Sequence, residues 1–481
     1  MTVADLQESP SRYRLVWAIA IFGILLRSLH YFRNPALWHD EAATILNIIR
    51  QGFVGLLGPL YLSGTGPPLF LWIQKCAVLC LGDSLYALRL VSFLASCAAL
   101  LVMTVLAGRL LKPLAATGSV LLVACSDRLL WHAAEARHYS SDVLIASGLA
   151  LVFVATRNKW TLQKRAFWFA CAAPFVILTS YPGVFLLGGA AIALAFDHVR
   201  DKQPTAVGWL ALIGLGVSIA GTFLVLFFTT ASAQRTPALD AAWVHAFPDW
   251  RHPLGVPFWF IRSSVGVVDY LTRPIGGVLA VVACIGAVSR WRADRGLVLF
   301  LVAPLGLAGM AGLIDAYPYT GARTMVFAMP AISLLIGFGI QRASEWMGNS
   351  QPRAWLASGI IAVPILATLL WSIYRIWIPW PRANTSGAAA YVLEHRAKAE
   401  PVTANHWEYE YYFRGIDGSF YPDLDLLREK KLPQRYWVVL TSSDPAFATT
   451  VANHLPSGRV LERKEFSRTT VMLVATTPAS Q

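Results

Sequence analysis

The sequence predicts an all-α membrane protein that crosses the bilayer many times and carries a small α/β domain at its C-terminal end. Hydrophobic residues make up 56% of the 481 residues and charged residues only 14%, and the mean hydropathy is +0.53. Soluble domains carry about 25% charged residues, so a soluble enzyme is not expected. The net charge of +13 rests on few charges, which argues against a nucleic-acid partner, and the aromatic content of 12% argues against disorder.

The membrane-spanning part is predicted from apolar stretches, since a bilayer core of about 30 Å needs about 20 apolar residues per helix, and about eleven stretches qualify. The first, 15–26, follows Arg14 and lacks a small-residue cleavage site, which predicts an uncleaved helix with the N-terminus in the cytoplasm. The other predicted spans are 87–108, 113–131, 138–156, 166–182, 183–198, 205–229, 275–290, 296–314, 323–341 and 354–376.

Two further apolar stretches are predicted to be juxtamembrane helices. The stretch 67–81 contains two prolines and Lys75, and the stretch 256–271 contains Arg262 and Asp269. When both are left out, every loop assigned to the cytoplasm is short and basic, as the positive-inside rule requires. The regions then placed on the outer face are 33–86, 132–137, 230–274, 315–322 and the tail from 377.

The tail differs in kind from the rest of the chain. Its apolar pattern alternates between helical and strand periods, which predicts a small α/β domain over 377–481, outside the membrane, after a transmembrane catalytic domain over 1–376. The predicted helices are 387–398, 406–413 and 445–455, and the predicted strands are 436–442, 459–466 and 469–477.

Carboxylates stand at two places on the predicted outer face. His39, Asp40 and Glu41 follow the first helix at the start of an amphipathic run, and Glu135 lies in a later outer loop. Acids at a helix N-terminus complement the helix dipole, so capping and catalysis both stay open for the first pair. A local pair with Arg137 is the alternative for Glu135, and it requires irregular backbone because residues two apart do not face each other on a helix.

Cations also stand on the outer face, where the positive-inside rule disfavours them. Arg137 and Tyr139 interrupt apolar sequence beside Glu135, and Arg323 opens a late helix, where a guanidinium and a helix N-terminus together favour an anion. Snorkelling is the alternative for each cation taken singly. Carboxylates and cations at one membrane face predict an acidic, amphiphilic ligand. The remaining outer cations are Arg33, Lys75, Arg89, Arg262 and Arg273.

Sugar transfer from a lipid phosphate would use such groups. A carboxylate would take the proton from an incoming hydroxyl, and cations would stabilise the departing phosphate. A polyprenyl tail would lie in the lipid while its headgroup reaches the loop acids. This chemistry explains why an enzyme would be embedded in the membrane.

The chain resembles the GT-C glycosyltransferases, especially bacterial members related to protein O-mannosyltransferases and lipid A aminoarabinose transferases. The order and spacing of the motifs over residues 15–340 carry the resemblance, since each motif alone is weak. These motifs are Asp40-Glu41, Gly66-Pro67-Pro68-Leu69, Gly82-Asp83-Ser84 through Arg89-Leu90, Glu135-Ala136-Arg137-His138-Tyr139, and Arg323 followed by Pro330.

The resemblance implies an inverting enzyme that moves a hexose or pentose from a polyprenyl-phosphate donor to a lipid, glycan or protein acceptor, at the outer face of a bacterial inner membrane. Asp40, with Glu41 beside it, would be the base, and the loop with Glu135 would form the opposite wall of the site. The implied donor-phosphate residues are Arg137, Tyr139, Arg323 and Lys75. His39 and His132 would bind the acceptor or a divalent metal ion, Mg or Mn, although the spacing gives no closed ligand set.

Alternatives stay open at the level of both residues and function. The charged stretch Ser126-Asp127-Arg128 is a second candidate for the roles given to Glu135 and Arg137. A transporter or flippase of a lipid-linked sugar is the rival function, although such proteins usually show internal repeats and broken helices, and the sequence shows neither. A structural or sensor protein that works through its outer domain is the third possibility.

Overall fold

The computed structural model describes residues 13–201, 203–347, 351–416, 418–429, 432–453, 455 and 458–476. In chain order its helices are α1 (Arg14–Arg33), α2 (His39–Arg50), α3 (Pro68–Leu81), α4 (Leu85–Leu110), α5 (Pro113–Cys125), α6 (Asp127–Ala133), α7 (Tyr139–Thr156), α8 (Leu162–Thr179), α9 (Gly183–Val199), α10 (Ala206–Leu226), α11 (Ser232–Gln234), α12 (Pro237–Trp243), α13 (Val256–Thr272), α14 (Gly276–Ala293), α15 (Arg295–Leu313), α16 (Met329–Met347), α17 (Gln351–Trp377), α18 (Thr385–His395), α19 (Glu408–Tyr412) and α20 (Pro445–Asn453). Its strands are β1 (Val402–Ala404), β2 (Phe420–Tyr421), β3 (Arg435–Thr441), β4 (Gly458–Phe466) and β5 (Thr469–Thr476).

The chain divides into two compact units, which we call the membrane unit and the α/β unit. The membrane unit comprises Met1–Arg33, Phe53–Pro59 and Thr65–Ile378. The α/β unit comprises Asn34–Gly52, Leu60–Gly64 and Pro379–Gln481. Helix α2, with the first pair of acids, therefore belongs to the same unit as the C-terminal sheet.

The predicted fold class, a multi-span helical protein with a small C-terminal α/β part, is confirmed. Every predicted span overlaps a helix, and in the described part of the chain seven helices are long and apolar enough to cross a membrane. Helices α5 and α6 make an eighth if they count as one span bent by 49°. The predicted number of eleven is not confirmed, because apolar helices such as α9, with 17 residues, fall short of this length.

The two stretches predicted not to span are also helices. Helix α3 has 14 residues and α13 has 17, and neither is long and apolar enough to be counted among the candidate spans. A helix rises about 1.5 Å per residue, so 14 residues cover only about 21 Å of a bilayer core of about 30 Å.

Close backbone approach holds part of the membrane unit together. A Cβ atom added at Gly339 of α16 would lie 2.2 Å from the carbonyl oxygen of Val282 in α14, and one at Gly286 would lie 1.9 Å from that of Leu335. Neither position has room for a side chain. Small residues that let helix backbones approach are a common basis of helix packing in membranes, where the lipid supplies no hydrophobic driving force between helices.

The α/β unit is built on a five-stranded mixed sheet with the order β2-β1-β3-β5-β4. Strand β1 pairs in parallel with β2 and β3, whereas β5 pairs antiparallel with β3 and β4. Alternate residues of β3 face opposite sides, as the period of two requires. Trp437 and Val439 pack against Ala389 and Val392 of α18, while Tyr436 and Val438 pack with Ala448 of α20 on the other side.

The predicted elements of the tail correspond to α18, α19, α20, β3, β4 and β5 within a few residues at each end. Residue 454 of the predicted helix 445–455 and residue 477, the predicted end of the last strand, lie outside the described residues. Strands β1 and β2 were not predicted, because two or three residues are too few to show an alternating pattern. The parallel pairs that β1 makes with β2 and β3 supply their stability instead.

Candidate functional site

The first candidate region lies in the membrane unit, where the chain passes from α6 to α7. Helix α6 ends at Ala133, and the segment up to His138 is irregular, with a hydrogen bond of 2.8 Å from the Arg137 amide to the Glu135 carbonyl oxygen. The hydroxyl of Ser92 donates to the Arg137 carbonyl at 2.8 Å, which anchors the segment to α4. This irregular backbone turns several polar side chains into the protein interior.

Glu135 is fully buried and is paired with a histidine. Its Oε2 atom lies 2.8 Å from Nδ1 of His132, and Nε2 of His132 lies 3.1 Å from the hydroxyl oxygen of Tyr270. Because a carboxylate only accepts hydrogen bonds, Nδ1 carries the proton, and in a neutral imidazole the tyrosine hydroxyl then donates to Nε2. The result is a buried carboxylate–histidine–tyrosine chain that fixes the orientation of all three groups.

Arg137 and Tyr139 form the next part of the same region. Nη2 of Arg137 donates to the Tyr139 hydroxyl at 3.1 Å, and the ring of Tyr139 lies 4.6 Å from the ring of His132, centroid to centroid. Both side chains are buried. A buried guanidinium with a neighbouring hydroxyl offers the planar, charge-assisted contacts that suit phosphate oxygens.

Arg323 lies between α15 and α16, later in the same unit. It opens a short 3₁₀ helix, Arg323–Ala328, and its guanidinium lies over the ring of Trp243 at 5.4 Å from the centroid. The preceding loop is held by the Tyr317 hydroxyl, which donates to the Thr324 carbonyl at 2.7 Å. Burial lowers the pKa of His138, and the charge of Arg323 adds a smaller contribution in the same direction.

The pKa values of His138 and Tyr270 in this region depart from their ordinary values. Burial, assisted by the charge of Arg137, holds the pKa of His138 well below its usual value, so this imidazole is neutral near pH 7. Burial also raises the pKa of Tyr270, with Arg128 and Arg323 opposing the rise. His138 also has its Nε2 atom 3.8 Å from Oδ2 of Asp142.

The alternative stretch Ser126-Asp127-Arg128 is tied into the structure. Ser126 caps α6 by accepting from the Leu129 amide, and Asp127 pairs with Arg375 at 2.8 Å. The guanidinium of Arg128 lies 5.0 Å from the ring centroid of Tyr270. These contacts favour a structural part for Asp127 and leave Glu135 as the carboxylate of the α6–α7 region.

Lys75 is the remaining donor-site residue predicted in the membrane unit. It lies half-exposed in the middle of α3, directly after the fully buried Gln74. Its part in donor binding stays a prediction.

The second candidate region lies in the α/β unit, at the start of α2. The N-cap residue is Trp38, which makes no side-chain capping bond, so Asp40 and Glu41 stand in the first turn instead of at the cap position. There they complement the helix dipole. The two acids differ in surroundings: the Asp40 side chain is 21% exposed, with Oδ1 3.5 Å from Nε2 of His39, whereas Glu41 is fully buried.

Glu41 has a cationic partner that sequence reasoning missed. Its Oε2 atom lies 3.6 Å from Nη1 of Arg382, whose side chain is 8% exposed. Arg382 follows the last predicted span on the predicted outer face, so it breaks the positive-inside rule as Arg323 does, and that signal could have found it. The contacts of Trp407 and Glu410 with α2 were also missed, and no local sequence pattern predicts them.

The aromatic run 409–413 lies in the core of the α/β unit. Tyr409 and Phe413 are buried and stack at 5.9 Å between ring centroids. These two aromatic rings therefore pack inside the α/β unit.

The described residues give no group of three or more His, Cys, Asp and Glu side chains that could hold a metal ion. His39 with Asp40, and His132 with Glu135, are pairs. The divalent metal ion therefore stays a prediction, and no step below is assigned to one.

Comparison with known proteins gives structural matches only. No protein-family model and no curated protein matches the chain. Two crystal structures of ArnT from Cupriavidus metallidurans are similar to it: the apo state has a TM-score of 0.57 at 14% identity, and the state bound to undecaprenyl phosphate has 0.56 at 15%. Each match covers 95% of this chain and 97% of that one. AglB, an oligosaccharyltransferase from Archaeoglobus fulgidus, reaches 0.46 at 10% identity over 90% of this chain and 70% of its own.

At such identities the likeness establishes the fold. The chain has a fold similar to that of ArnT, so the predicted resemblance is confirmed at the level of architecture. The likeness extends over both units of the chain, since 95% of it is covered.

Proposed function

We propose that this protein is an integral-membrane glycosyltransferase that transfers a sugar from a polyprenyl-phosphate-linked donor to a hydroxyl group of a lipid, glycan or protein acceptor. One observation carries the proposal: an ArnT-like fold encloses a buried Arg137–Tyr139 pair beside the Glu135–His132–Tyr270 chain. The crystal structure of ArnT with undecaprenyl phosphate supports a polyprenyl phosphate as the lipid part of the donor.

On the donor side, Arg137 and Arg323 would bind the phosphate oxygens, with Tyr139 and Lys75 as further donors. The buried guanidinium of Arg137 is worth more here than in water, because few water molecules compete for the phosphate. As the phosphate departs, the positive charge of both guanidinium groups would stabilise the negative charge that develops on it. Glu135 would hold His132 and the surrounding segment in place, with His132 as an acceptor contact.

On the acceptor side, Asp40 would be the base. The acceptor oxygen attacks the anomeric carbon from the face opposite the phosphate and forms the new glycosidic bond. The bond between the anomeric carbon and the phosphate oxygen breaks, and the electron pair leaves with polyprenyl phosphate. Asp40 takes the hydroxyl proton, and the anomeric configuration inverts. The partly exposed Asp40 suits this role better than Glu41, whose carboxylate is bound to Arg382.

We place the reaction on the outer face of the bacterial inner membrane, with the N-terminus in the cytoplasm. Single cysteines in a cysteine-free background test this placement at two exposed positions, Arg251 and Lys112. A membrane-impermeant thiol reagent added to intact cells should label Arg251→Cys and leave Lys112→Cys unlabelled. The reverse pattern would contradict the placement.

The activity itself is tested with the purified full-length protein in liposomes. Polyprenyl-phosphate-linked hexose and pentose donors are supplied with lipid, glycan and peptide acceptors, and products are identified by mass spectrometry. We expect a new glycosidic bond with wild-type protein and none with Asp40→Asn. Movement of the lipid-linked sugar across the bilayer without any new glycosidic bond would overturn the proposal in favour of a transporter.

A further inference from the structure

Helix α2 is held at its N-terminal end by residues more than 340 positions later in the chain. The amide of Leu37 donates to the Tyr412 hydroxyl at 3.0 Å, and the Thr385 hydroxyl donates to the Leu37 carbonyl at 3.3 Å. Trp407 Nε1 donates to the carbonyl of His39 at 2.7 Å. The backbone on both sides of Trp38 is therefore fixed by α18 and by the segment around α19.

Arg382 adds a charged contact on the same side. Besides facing Glu41 at 3.6 Å, its Nη1 atom donates to the carbonyl of Ala36 at 3.0 Å. One guanidinium thus joins the segment before α2 to the first turn of the helix. Both charges are buried, and removal of one partner from a buried pair is costly, so the pair strongly favours this one arrangement.

These contacts act on the two neighbours of Asp40. Trp407 binds the carbonyl of His39, and Arg382 faces the carboxylate of Glu41. Asp40 itself stays 21% exposed, and its own carbonyl accepts from the Thr44 hydroxyl at 3.3 Å. The backbone that carries Asp40 is therefore held on both sides, and the side chain as a whole stays partly exposed.

We propose that Arg382 and Trp407 are positioning residues for Asp40, so that the C-terminal α/β unit sets the geometry of the proton-accepting carboxylate. The inference rests on the proposed function, in which Asp40 is the base. A base acts only within hydrogen-bond reach of the proton that it takes. A displacement of about 1 Å, caused by a change away from the reacting atoms, can reduce the rate about 10²-fold.

A purely structural part for the same residues makes a different prediction. Loss of stability alone would reduce the amount of active protein and leave the kcat and donor KM of the folded fraction unchanged. A positioning role lowers kcat in the folded fraction while donor KM stays constant. The two cases therefore separate once the folded fraction is measured.

The experiment uses the full-length protein in liposomes, a polyprenyl-phosphate-linked sugar as donor and the folded fraction from size-exclusion chromatography. Trp407→Phe keeps the aromatic bulk and loses one hydrogen bond, and we expect about a three- to tenfold lower kcat with an unchanged donor KM. The double variant Glu41→Gln with Arg382→Met removes both buried charges together, which preserves folding, and we expect about a 10²-fold lower kcat. Arg382→Lys should recover part of the rate of Arg382→Met.

A matched control is Arg428→Met, since Arg428 forms an exposed pair with Asp425 at 2.8 Å in the same unit. It should retain the wild-type kcat. Wild-type kcat in both Trp407→Phe and the double variant would overturn the inference, and if Asp40→Asn is then inactive, the proposed function survives without it. Full transfer by Asp40→Asn would instead show that the base assignment itself has failed.

Discussion

The two candidate regions are built in opposite ways. In the α6–α7 region two polar pairs are close in sequence: His132 and Glu135 are three residues apart, and Arg137 and Tyr139 are two apart. Tyr270, which completes that region, comes from a later helix. At the start of α2 the partners are distant: Trp407 lies 368 residues after His39. The first region is thus centred on one irregular segment of backbone, and the second depends on contacts with α18 and the segment around α19.

Substitutions in the two regions should therefore have different effects. In the first region a substitution acts on the groups that would bind the donor. In the second region the residues that hold α2 carry no reactive group of their own, so their loss should change rate before it changes binding. The two regions should therefore differ in which kinetic constant a substitution changes.

Arg137→Gln should have the largest effect on binding. A hydrogen bond to a charged group is worth about 1.5–3 kcal/mol, so we expect the donor KM to rise about 10- to 100-fold. Initial rates over a donor titration measure this. Arg235→Gln is the control, because Arg235 lies in an exposed pair with Asp240 at 2.9 Å. An unchanged donor KM in Arg137→Gln would remove this residue from the donor site.

Glu135→Gln should reduce stability in the local region. The amide keeps the shape and loses the charge in the bond to His132, and we expect the free energy of unfolding to fall by about 1–3 kcal/mol. Tyr270→Phe removes the hydroxyl at the other nitrogen and should cost about 0.5–1.5 kcal/mol. Denaturant titration in detergent micelles compares the two. Equal stability of Glu135→Gln and wild type would show that this chain of bonds does not stabilise the region.

Arg50→Gln tests the far end of α2. Arg50 pairs with Glu410 at 2.8 Å, but its side chain is 47% exposed, and such pairs contribute little, so kcat should change by less than about threefold. A much larger loss of kcat in the double variant at Glu41 and Arg382 than in Arg50→Gln would show that the N-terminal end of α2 is the part that matters for rate. A kcat as low as in that variant would show that α2 responds as a whole.

His406→Gln should have the smallest effect, a change in how the Tm depends on pH. The carboxylate of Glu408, whose Oε2 lies 3.5 Å from Nδ1, raises the pKa of His406 in the folded protein. The protonated form therefore contributes stability below about pH 6.5, and this contribution is lost as pH rises through the higher folded value. Between about pH 6 and pH 8 the wild-type Tm should fall by up to about 2 °C more than that of the variant. Parallel pH profiles would contradict this.

The sequence predicts the local region better than the distant one for a physical reason. Spans and the motif around Glu135 follow from hydropathy and short spacing, so most helices and the residues of that region could be found. The contacts of α2 with Arg382 and Trp407 could not, because they join residues far apart in the chain, although the place of Arg382 on the predicted outer face marks it as an unusual cation. Strands β1 and β2 were not predicted for the same reason, because their few residues are held by pairing between distant segments.

The chemistry of Asp40 and Glu41 alone does not decide between helix capping and catalysis. Asp40 and Glu41 fitted both a helix N-terminus and a catalytic pair, and the structure puts them in the first turn of α2 with unequal exposure. That inequality, together with the contact between Glu41 and Arg382, is what distinguishes the two acids. No property of two adjacent carboxylates in a sequence predicts it.

The central claim is that Asp40 accepts the proton while separate groups bind the donor. The most direct measurement is the initial rate of sugar transfer by Asp40→Asn and wild type over a titration of the polyprenyl-phosphate-linked donor. Loss of a general base costs about 10²–10⁴-fold, so kcat should fall by that factor while donor KM stays within about threefold of wild type. A kcat close to wild type in Asp40→Asn would contradict the account.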